Sequence, residues 1–326
     1  EVMALLPGSL ASYVTGNVNL VARRPVTLSL EQAAGVPIVF ATAAVALERI
    51  AGLRREQGDQ PRKRVLIHAG AGGVGLAAIS FALSAGAEVF ATAGSQAKRD
   101  YLRSLGVHHV MDSRSLAFSE LVLELTDGEG VDAVLNSLAG EFIPASLAVV
   151  REGGHFLEIG KTGIWTAEQV AALGRGIRYS VIFLGDDQKA RPEMIGSLMR
   201  ELAQRIDRGE LTVPRTRVYP IEQAQSAFRL MAQARHSGKL VLRLPVAGKV
   251  TVHPDASYLV TGGLSGLGLV AAATLAKHGA RHLLLAGRKV QPDATAQAEI
   301  ARLKATGCAV HLSACDVGAA DAAARL

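Results

Sequence analysis

Residues 67–76 read Ile-His-Ala-Gly-Ala-Gly-Gly-Val-Gly-Leu, and the spacing of Gly70, Gly72 and Gly75 limits what this chain can fold into. A G-x-G-x-x-G run between an apolar strand (62–67) and a stretch at helical spacing (74–85) requires a tight turn. It also requires backbone open to a ligand and a helix packed closely on its strand. The N-terminus of that helix, around Gly73 and Val74, presents free N–H groups and partial positive charge to an anion such as a pyrophosphate. A glycine-rich turn without a ligand is the alternative reading. The strand at 88–93 and polar helix at 96–105 that follow weigh against it.

The alternation then persists. Strands are expected at 107–111, 131–136, 155–159 and 179–184, and helices at 116–126, 142–150, 167–173 and 192–208. Continuously apolar strands separated by helices predict an α/β domain with a doubly wound parallel sheet, covered on both faces. The flanks differ. Short β-rich runs at 10–14 and 20–22 resemble the segments at 211–220 and 239–244, so one mostly-β domain is expected to be built from both ends around the α/β domain. The boundaries expected are 1–37 with 216–246 for the flanking domain, 38–215 for the α/β domain, 247–256 for a linker and 257–326 for a further unit.

That further unit opens with a second strand–turn–helix, whose Thr261-Gly262-Gly263-Leu264-Ser265-Gly266-Leu267-Gly268 has the T-G-x-x-x-G-x-G spacing. Arg288, after the next strand, stands where a guanidinium would clasp a phosphate, and Asp316 where a carboxylate would accept from an adenine amine. The residues that follow Gly268 are too few to complete a doubly wound domain.

Which dinucleotide the first turn takes is decided one strand later. A ribose 2′-OH calls for an acid about 20 residues past the glycines. This sequence offers Thr92, Ser95, Lys98 and Arg99 instead, a set suited to a 2′-phosphate and hence to NADPH. The other reading of Lys98 and Arg99 is a solvated first helical turn. The net charge of +6 is spread without a basic run and aromatics are 4% of residues, which argues against nucleic acid. Both cysteines, Cys308 and Cys315, lie late in the chain, so a disulfide scaffold or cysteine zinc site is excluded before them. A reducing cytoplasm follows as the expectation. Residues 65–87 carry no charge, yet glycines divide them into strand and helix and not a membrane span. No charged leader opens the chain, and a sequence running from Glu1 to Leu326 inside a helical pattern suggests excision from a longer polypeptide.

With these motifs in place, residues 1–246 resemble the enoyl reductase domain of a modular polyketide synthase, a zinc-independent medium-chain dehydrogenase/reductase. The resemblance rests on the run 68–75, on Val131-Asp132-Ala133-Val134-Leu135-Asn136-Ser137-Leu138, on Glu158-Ile159-Gly160-Lys161 and on Ser237-Gly238-Lys239. Residues 257–326 are similar to the start of the ketoreductase that follows in such synthases. The resemblance implies a Rossmann cofactor domain inserted in a GroES-like substrate domain, then the start of a second Rossmann fold. It implies NADPH-dependent reduction of the double bond of a 2-enoyl thioester on the phosphopantetheine of an acyl carrier protein, with ketoreductase and dehydratase domains as neighbours. Asn136, Ser137, Leu138 and Gly160 would line the nicotinamide end, Gly238 and Lys239 would approach the phosphates, and Thr42 would join the cofactor-binding set. Lys161 matches the family's proposed proton donor.

Two departures stand out. Phe183 occupies the place of an aspartate found in many members, leaving Asp186 or Asp187 as the nearest acids, of which Asp186 is taken as the second catalytic candidate. The tyrosine many members use would precede Glu1. A zinc alcohol dehydrogenase would carry a cysteine near 35–38, where this chain has Gly-Val-Pro-Ile. The competing functions are an NADPH:quinone reductase and a catalytically silent NADPH-binding scaffold of a megasynthase.

Overall fold

The computed structural model describes residues 1–55, 62–245, 251–288, 291–319 and 322. Residues 56–61, residue 246, residues 247–250 of the expected linker, and residues 289–290, 320–321 and 323–326 lie outside them. The chain divides into two compact units, Glu1–Pro245 and Val246–Leu326.

In the first unit the chain runs through β1 (Val2–Ala4), β2 (Val21–Arg23), α1 (Leu30–Ala34) and α2 (Pro37–Ala44), which continues as a π-helical stretch, Val45–Ile50. There follow β3 (Arg64–Ile67), α3 (Gly73–Ser84), β4 (Glu88–Ala93), α4 (Gln96–Ser104), β5 (His109–Asp112), α5 (Phe118–Leu125) and β6 (Val131–Asn136). Next come α6 (Phe142–Ala148), β7 (Val150–Glu158), α7 (Ala167–Ala171), β8 (Arg178–Val181), α8 (Leu184–Ala190) and α9 (Pro192–Asp207). β9 (Thr216–Pro220), α10 (Ala224–Ala232) and β10 (Lys239–Arg243) close the unit.

Six strands form one parallel sheet in the order β5-β4-β3-β6-β7-β8. Its side chains alternate between faces. Val65 and Ile67 of β3, Val89 and Ala91 of β4 and Ala133 and Leu135 of β6 enter a core shared with α2, α3 and α9. Leu66, Phe90, Val134 and Phe156 enter the opposite core, with Phe118 and Val122 of α5 and Ile143 and Leu147 of α6. The period of two therefore supplies two dry faces, which is what continuously apolar strands require. Strand order reverses between β3 and β6, and ligands of open α/β sheets bind beyond the carboxyl ends of the strands at such a switch point.

The flanks carry two further pairs, β1 antiparallel to β2 and β9 parallel to β10, with α1 packed on β1, β9 and β10. Residues 10–14 form no strand: Tyr13 is 84% exposed and the segment is irregular. β7 starts at Val150, well before the expected 155, because a register shift between Val131 and Ala133 of β6 lets Gly153 (φ +66°) and Gly154 bend the strand into place. The end of the expected 179–184 strand is instead the start of α8.

α2 has no counterpart in the sequence reading. It is apolar all round, with Pro37, Val39, Phe40, Ala41, Thr42, Ala43 and Ala44 buried, so it shows no amphipathic period.

In the second unit, β11 (Ser257–Thr261), α11 (Gly266–Lys277), β12 (His282–Gly287), α12 (Ala294–Ala305) and β13 (Ala309–Ala314) build a parallel sheet in the order β11-β12-β13. Its own core gathers Val260, Ala272, Leu283, Leu285, Ile300 and Leu303.

Candidate active site

The loop after β3 carries the glycines, and each does a different steric job. Gly70 donates its N–H to the Thr92 carbonyl at 2.8 Å, tying the loop to the end of β4. A Cβ on Gly75 would stand 2.6 Å from the Ala69 carbonyl oxygen and 2.7 Å from the Gly70 Cα, so only glycine lets α3 pack this closely on the turn. Gly72 is the extended N-cap of α3 and offers no side chain to its first N–H groups, which leaves them for an anion. Ala69 takes the left-handed conformation (φ +49°) just before the run.

The Ser237-Gly238-Lys239 turn closes on this loop. Gly238 donates its N–H to the Ala71 carbonyl at 3.0 Å, and its φ of +74° and close contact with the Arg215 carbonyl admit only glycine. Lys239 then lies along Gly73: a Cβ there would meet the lysine Cδ at 2.8 Å. Burial holds the Lys239 ammonium below its ordinary pKa. The glycines, Val74 at the start of α3, Gly238 and Lys239 thus meet at one point.

At the ends of β4 and β5 the expected residues take different roles. Thr92 is buried with its hydroxyl turned inward, 3.0 Å from Nδ1 of His68, so it braces the loop and does not face outward. Ser95 caps α4, accepting from the Lys98 N–H at 3.4 Å. The Arg99 guanidinium is committed to the Ala93 carbonyl, Gln96 and Asp112. Lys98 donates to the Ala234 carbonyl at 2.7 Å. Its pKa is pushed down first by burial and then by the Arg114 guanidinium. His236 is held down by burial and then by Lys98, with Lys239 adding to it.

Arg114, which the sequence reading did not select, lies over the end of β4: a Cβ on Gly94 would meet its Nε at 3.3 Å. Its signal was positional, since it follows directly on the carboxyl end of the strand next to β4. Three cations, Lys98, Arg114 and Lys239, gather at the mouth of the glycine loop with His236, whose ring is held toward its neutral form.

Across the switch point, the ends of β6 and β7 are joined through a buried carboxyl. Asn136 is fully buried; its Oδ1 accepts from the Leu138 N–H at 3.1 Å and its Nδ2 donates to the Leu138 carbonyl at 2.9 Å and to Glu158 Oε2 at 2.7 Å. Gly160 donates its N–H to Glu158 Oε1 at 2.6 Å. Burial raises the pKa of Glu158, opposed by the bonds from Asn136, Gly160 and Tyr179. Ser137 and Lys161, next to these anchors, are exposed.

The Lys161 ammonium stands 4.9 Å from the centroid of the Phe183 ring, which is half exposed. The ring that replaces the family's acid is therefore a cation–π partner for the lysine. Asp187 pairs with Arg191. Asp186, exposed in the first turn of α8, lines a cavity of about 560 Å³ with Arg49, Phe183 and Arg191. Thr42 is in α2, where its hydroxyl proton goes to the Ile38 carbonyl at 2.7 Å, leaving the oxygen only as an acceptor.

In the second unit, Gly262 (φ +65°) and Gly266 (φ +46°) shape the turn, and Gly268 lies against the Gly262 carbonyl too closely for any side chain. Arg288 and Asp316, both exposed, follow β12 and β13, so the parallel sheet brings all five expected residues to one edge. Asp316 Oδ1 accepts from the Gly318 N–H at 3.1 Å.

A switch-point sheet with a bare helix N-terminus and a cationic mouth defines a nicotinamide-dependent oxidoreductase. Residues 105–242 match the family described as zinc-binding dehydrogenase and residues 256–326 match the KR domain. The chain is 42% identical over 331 residues to the spectinabilin polyketide synthase system protein NorB of Streptomyces orinoci, covering 100% of this chain and 14% of that protein. It is 38% identical over 331 residues to the mycocerosic acid synthase-like polyketide synthase of Mycobacterium tuberculosis, covering 98% of this chain and 15% of that protein. The chain thus spans only a small part of the length of these relatives. It superposes on the CurK enoyl reductase with a TM-score of 0.66 and 45% identity, covering 71% of this chain and 68% of that one. The chain belongs to the enoyl reductases of the polyketide synthases, in the medium-chain dehydrogenase/reductase superfamily, and runs on into the start of a ketoreductase domain. A quinone oxidoreductase of Pseudomonas syringae shares the fold alone, at a TM-score of 0.60 and 24% identity over 69% of this chain and 68% of that one.

Among the described residues no three His, Cys, Asp or Glu side chains are grouped to hold a metal ion, and both cysteines are in the second unit. No helix among them is long and apolar enough to cross a membrane.

Proposed function

We propose that this chain performs the NADPH-dependent reduction of the α,β-double bond of a 2-enoyl thioester carried on the phosphopantetheine of an acyl carrier protein, in the cytoplasm, beside the other domains of a synthase. The observation that carries the reading is the division of one sheet edge into three chemically distinct stations. Lys98 and Arg114 repel each other, and Lys98 and Lys239 both disfavour a charge on the His236 ring, so an anion that joins them is favoured, which suits a 2′-phosphate and pyrophosphate. The uncapped N-terminus of α3 lies between them and the β6 and β7 loops. Those loops end on Ser137, Gly160 and Lys161.

NADPH, when bound, supplies the hydride that goes to the substrate β-carbon. The residues of the chain manage the charge that results. Negative charge develops on the thioester oxygen as the enolate forms, and the Lys161 ammonium stabilises it electrostatically and supplies a proton toward the α-carbon. The Phe183 ring steadies that ammonium without competing for its proton, because a phenyl group has no acid–base function. Asp186, facing the same cavity as Phe183, is the carboxylate proposed to take a proton from solvent water and relay it to Lys161, restoring the ammonium that gave its proton to the α-carbon.

The test is the loss of the near-ultraviolet absorbance of NADPH with crotonyl-pantetheine as substrate, NADH serving as control, run on this chain and on a version extended N-terminally. NADPH-selective turnover supports the reading. NADPH binding without turnover by the extended form would turn it toward a silent scaffold, and reduction of a quinone in place of the thioester would make it a quinone reductase.

A further inference from the structure

Glu158 is 1% exposed and belongs to no catalytic step described above, yet it occupies the junction of two loops that border the nicotinamide end. Its Oε2 accepts from Asn136 Nδ2 at 2.7 Å and its Oε1 from the Gly160 N–H at 2.6 Å. A third bond extends the junction: the Tyr179 hydroxyl reaches Oε2 at 3.4 Å and itself accepts the Trp165 N–H at 3.3 Å. The Ile159 N–H adds a backbone tie to the Asn136 carbonyl at 2.9 Å. Three loops therefore converge on one side chain: 136–138, 159–161 and the stretch that leads to Trp165.

We propose that Glu158 is the positioning residue of the nicotinamide end, clamping the Asn136–Leu138 loop to the Gly160–Lys161 turn so that the ring site and the Lys161 ammonium keep one geometry. The chemistry explains the residue type. The strongest donors, Asn136 Nδ2 and the Gly160 N–H, address different oxygens, so the side chain must accept at both ends. A carboxylate does so; an amide presents one oxygen and turns its NH₂ toward the other donor. The space is equally specific. A Cβ on Gly160 would stand 2.6 Å from Glu158 Oε1, so the turn can sit on the carboxyl only as glycine. Asn136 in turn spends its own amide on Leu138, so its side chain reads the position of Glu158 and passes it to the neighbouring loop.

This inference rests on the reading of that edge as the nicotinamide end, and its test separates the two ends of the cofactor. Trp165 is the single tryptophan of the chain, and its backbone hangs on the third bond of the clamp, so its fluorescence reports the loop directly. The experiment compares wild type with Glu158→Gln in the full chain, measuring NADPH affinity, 2′,5′-ADP affinity and acrylamide quenching of Trp165. The variant is expected to bind 2′,5′-ADP within about twofold of wild type, because that ligand uses only the cationic mouth, and to bind NADPH about tenfold more weakly, which is about 1.4 kcal/mol. Quenching of Trp165 is expected to rise.

Equal losses for both ligands would make Glu158 a general structural residue and overturn the proposal, as would unchanged NADPH affinity. If Glu158→Gln lacks a cooperative melt, Tyr179→Phe carries the test. It deletes the two bonds of the hydroxyl, to Glu158 and from the Trp165 N–H, and leaves Asn136 and Gly160 on the carboxyl; raised Trp165 quenching with a twofold to threefold selective loss of NADPH affinity is expected, and no change in either overturns the proposal. A clamp that behaves as expected in a chain that reduces no enoyl thioester would leave this role standing and remove the proposed reaction.

Discussion

Two glycines three residues from Gly70 and Gly72 answer differently to the same methyl group. At Gly75 the added carbon meets backbone, the Ala69 carbonyl and the Gly70 Cα, neither of which can move without opening the turn. At Gly73 it meets the far part of the Lys239 side chain, which can swing aside, and Cγ1 of the buried Val39 at 3.1 Å, which must give by a few tenths of an ångström. Gly75→Ala is therefore expected to destabilise the fold by roughly 3 kcal/mol or more and to abolish NADPH binding, while Gly73→Ala costs only about 1 kcal/mol and binds NADPH less tightly. Urea denaturation and a binding titration on both variants check this.

His68, two residues before Gly70, gives the pH dependence at this scale. Its Nε2 faces Ser146 Oγ at 2.8 Å, and since Ser146 donates to the Phe142 carbonyl at 2.6 Å, Nε2 carries the proton and Nδ1 accepts from Thr92. Burial pushes its pKa down to about 3 from 6.5, so the unfolded chain takes up a proton that the folded chain refuses. The stabilisation is complete above pH 6.5 and is lost as pH falls from there toward 3, at about 1.4 kcal/mol per pH unit. Urea midpoints taken at several pH values should fall less steeply in His68→Gln than in wild type. Gly75 was legible in the sequence because its constraint is local. Glu158 and Arg114 were not, because Asn136, Tyr179 and Gly94 reach them only through strand pairing.

Elements were legible in proportion to their periodicity. The parallel strands and α9, whose buried Ile195, Leu198, Met199, Leu202 and Ile206 recur at helical spacing, could be read directly. α2 could not, since a helix that is apolar all round has no polar face to mark its turns. Its importance is nonetheless measurable. Phe40 is fully buried and its ring lies 5.9 Å from that of Phe81 in α3, in tilted contact, so α2 anchors the helix whose N-terminus is the proposed phosphate site. Phe40→Ala leaves a large void where α2, α3 and α9 meet and is expected to cost about 3–5 kcal/mol in urea denaturation. Because the glycine turn itself is untouched, surviving folded protein should still bind 2′,5′-ADP. The bulge that starts β7 early was invisible for another reason: Gly153 and Gly154 read as a break until the partner strand shows that the ladder resumes beyond them.

At the scale of the molecule, each unit owns its core. The clusters on the two faces of the six-stranded sheet draw on Met3 through Leu211, whereas the cluster in the second unit draws only on residues from Val252 to Leu312. A separate core is a separate cooperative unit, so calorimetry of the whole chain should resolve two transitions. With unfolding enthalpy near 0.7 kcal/mol per residue, the larger transition, from the first unit, should carry roughly three times the heat of the smaller. The smaller unit should melt first. Its β11 pairs on one side only among the described residues, and Leu267 and Val270 of α11 stand 87% and 61% exposed. Ligand then assigns the sites. NADPH at about 100 times its dissociation constant adds about 2.7 kcal/mol to whichever unit binds it. Since the cationic mouth, the bare α3 terminus and the Glu158 clamp all belong to the first unit, the larger transition should move up by several degrees and the smaller should stay. Movement of the smaller transition alone would show that the chain holds its cofactor on the Gly262–Gly268 turn and would shift the redox site from the first glycine motif to the second.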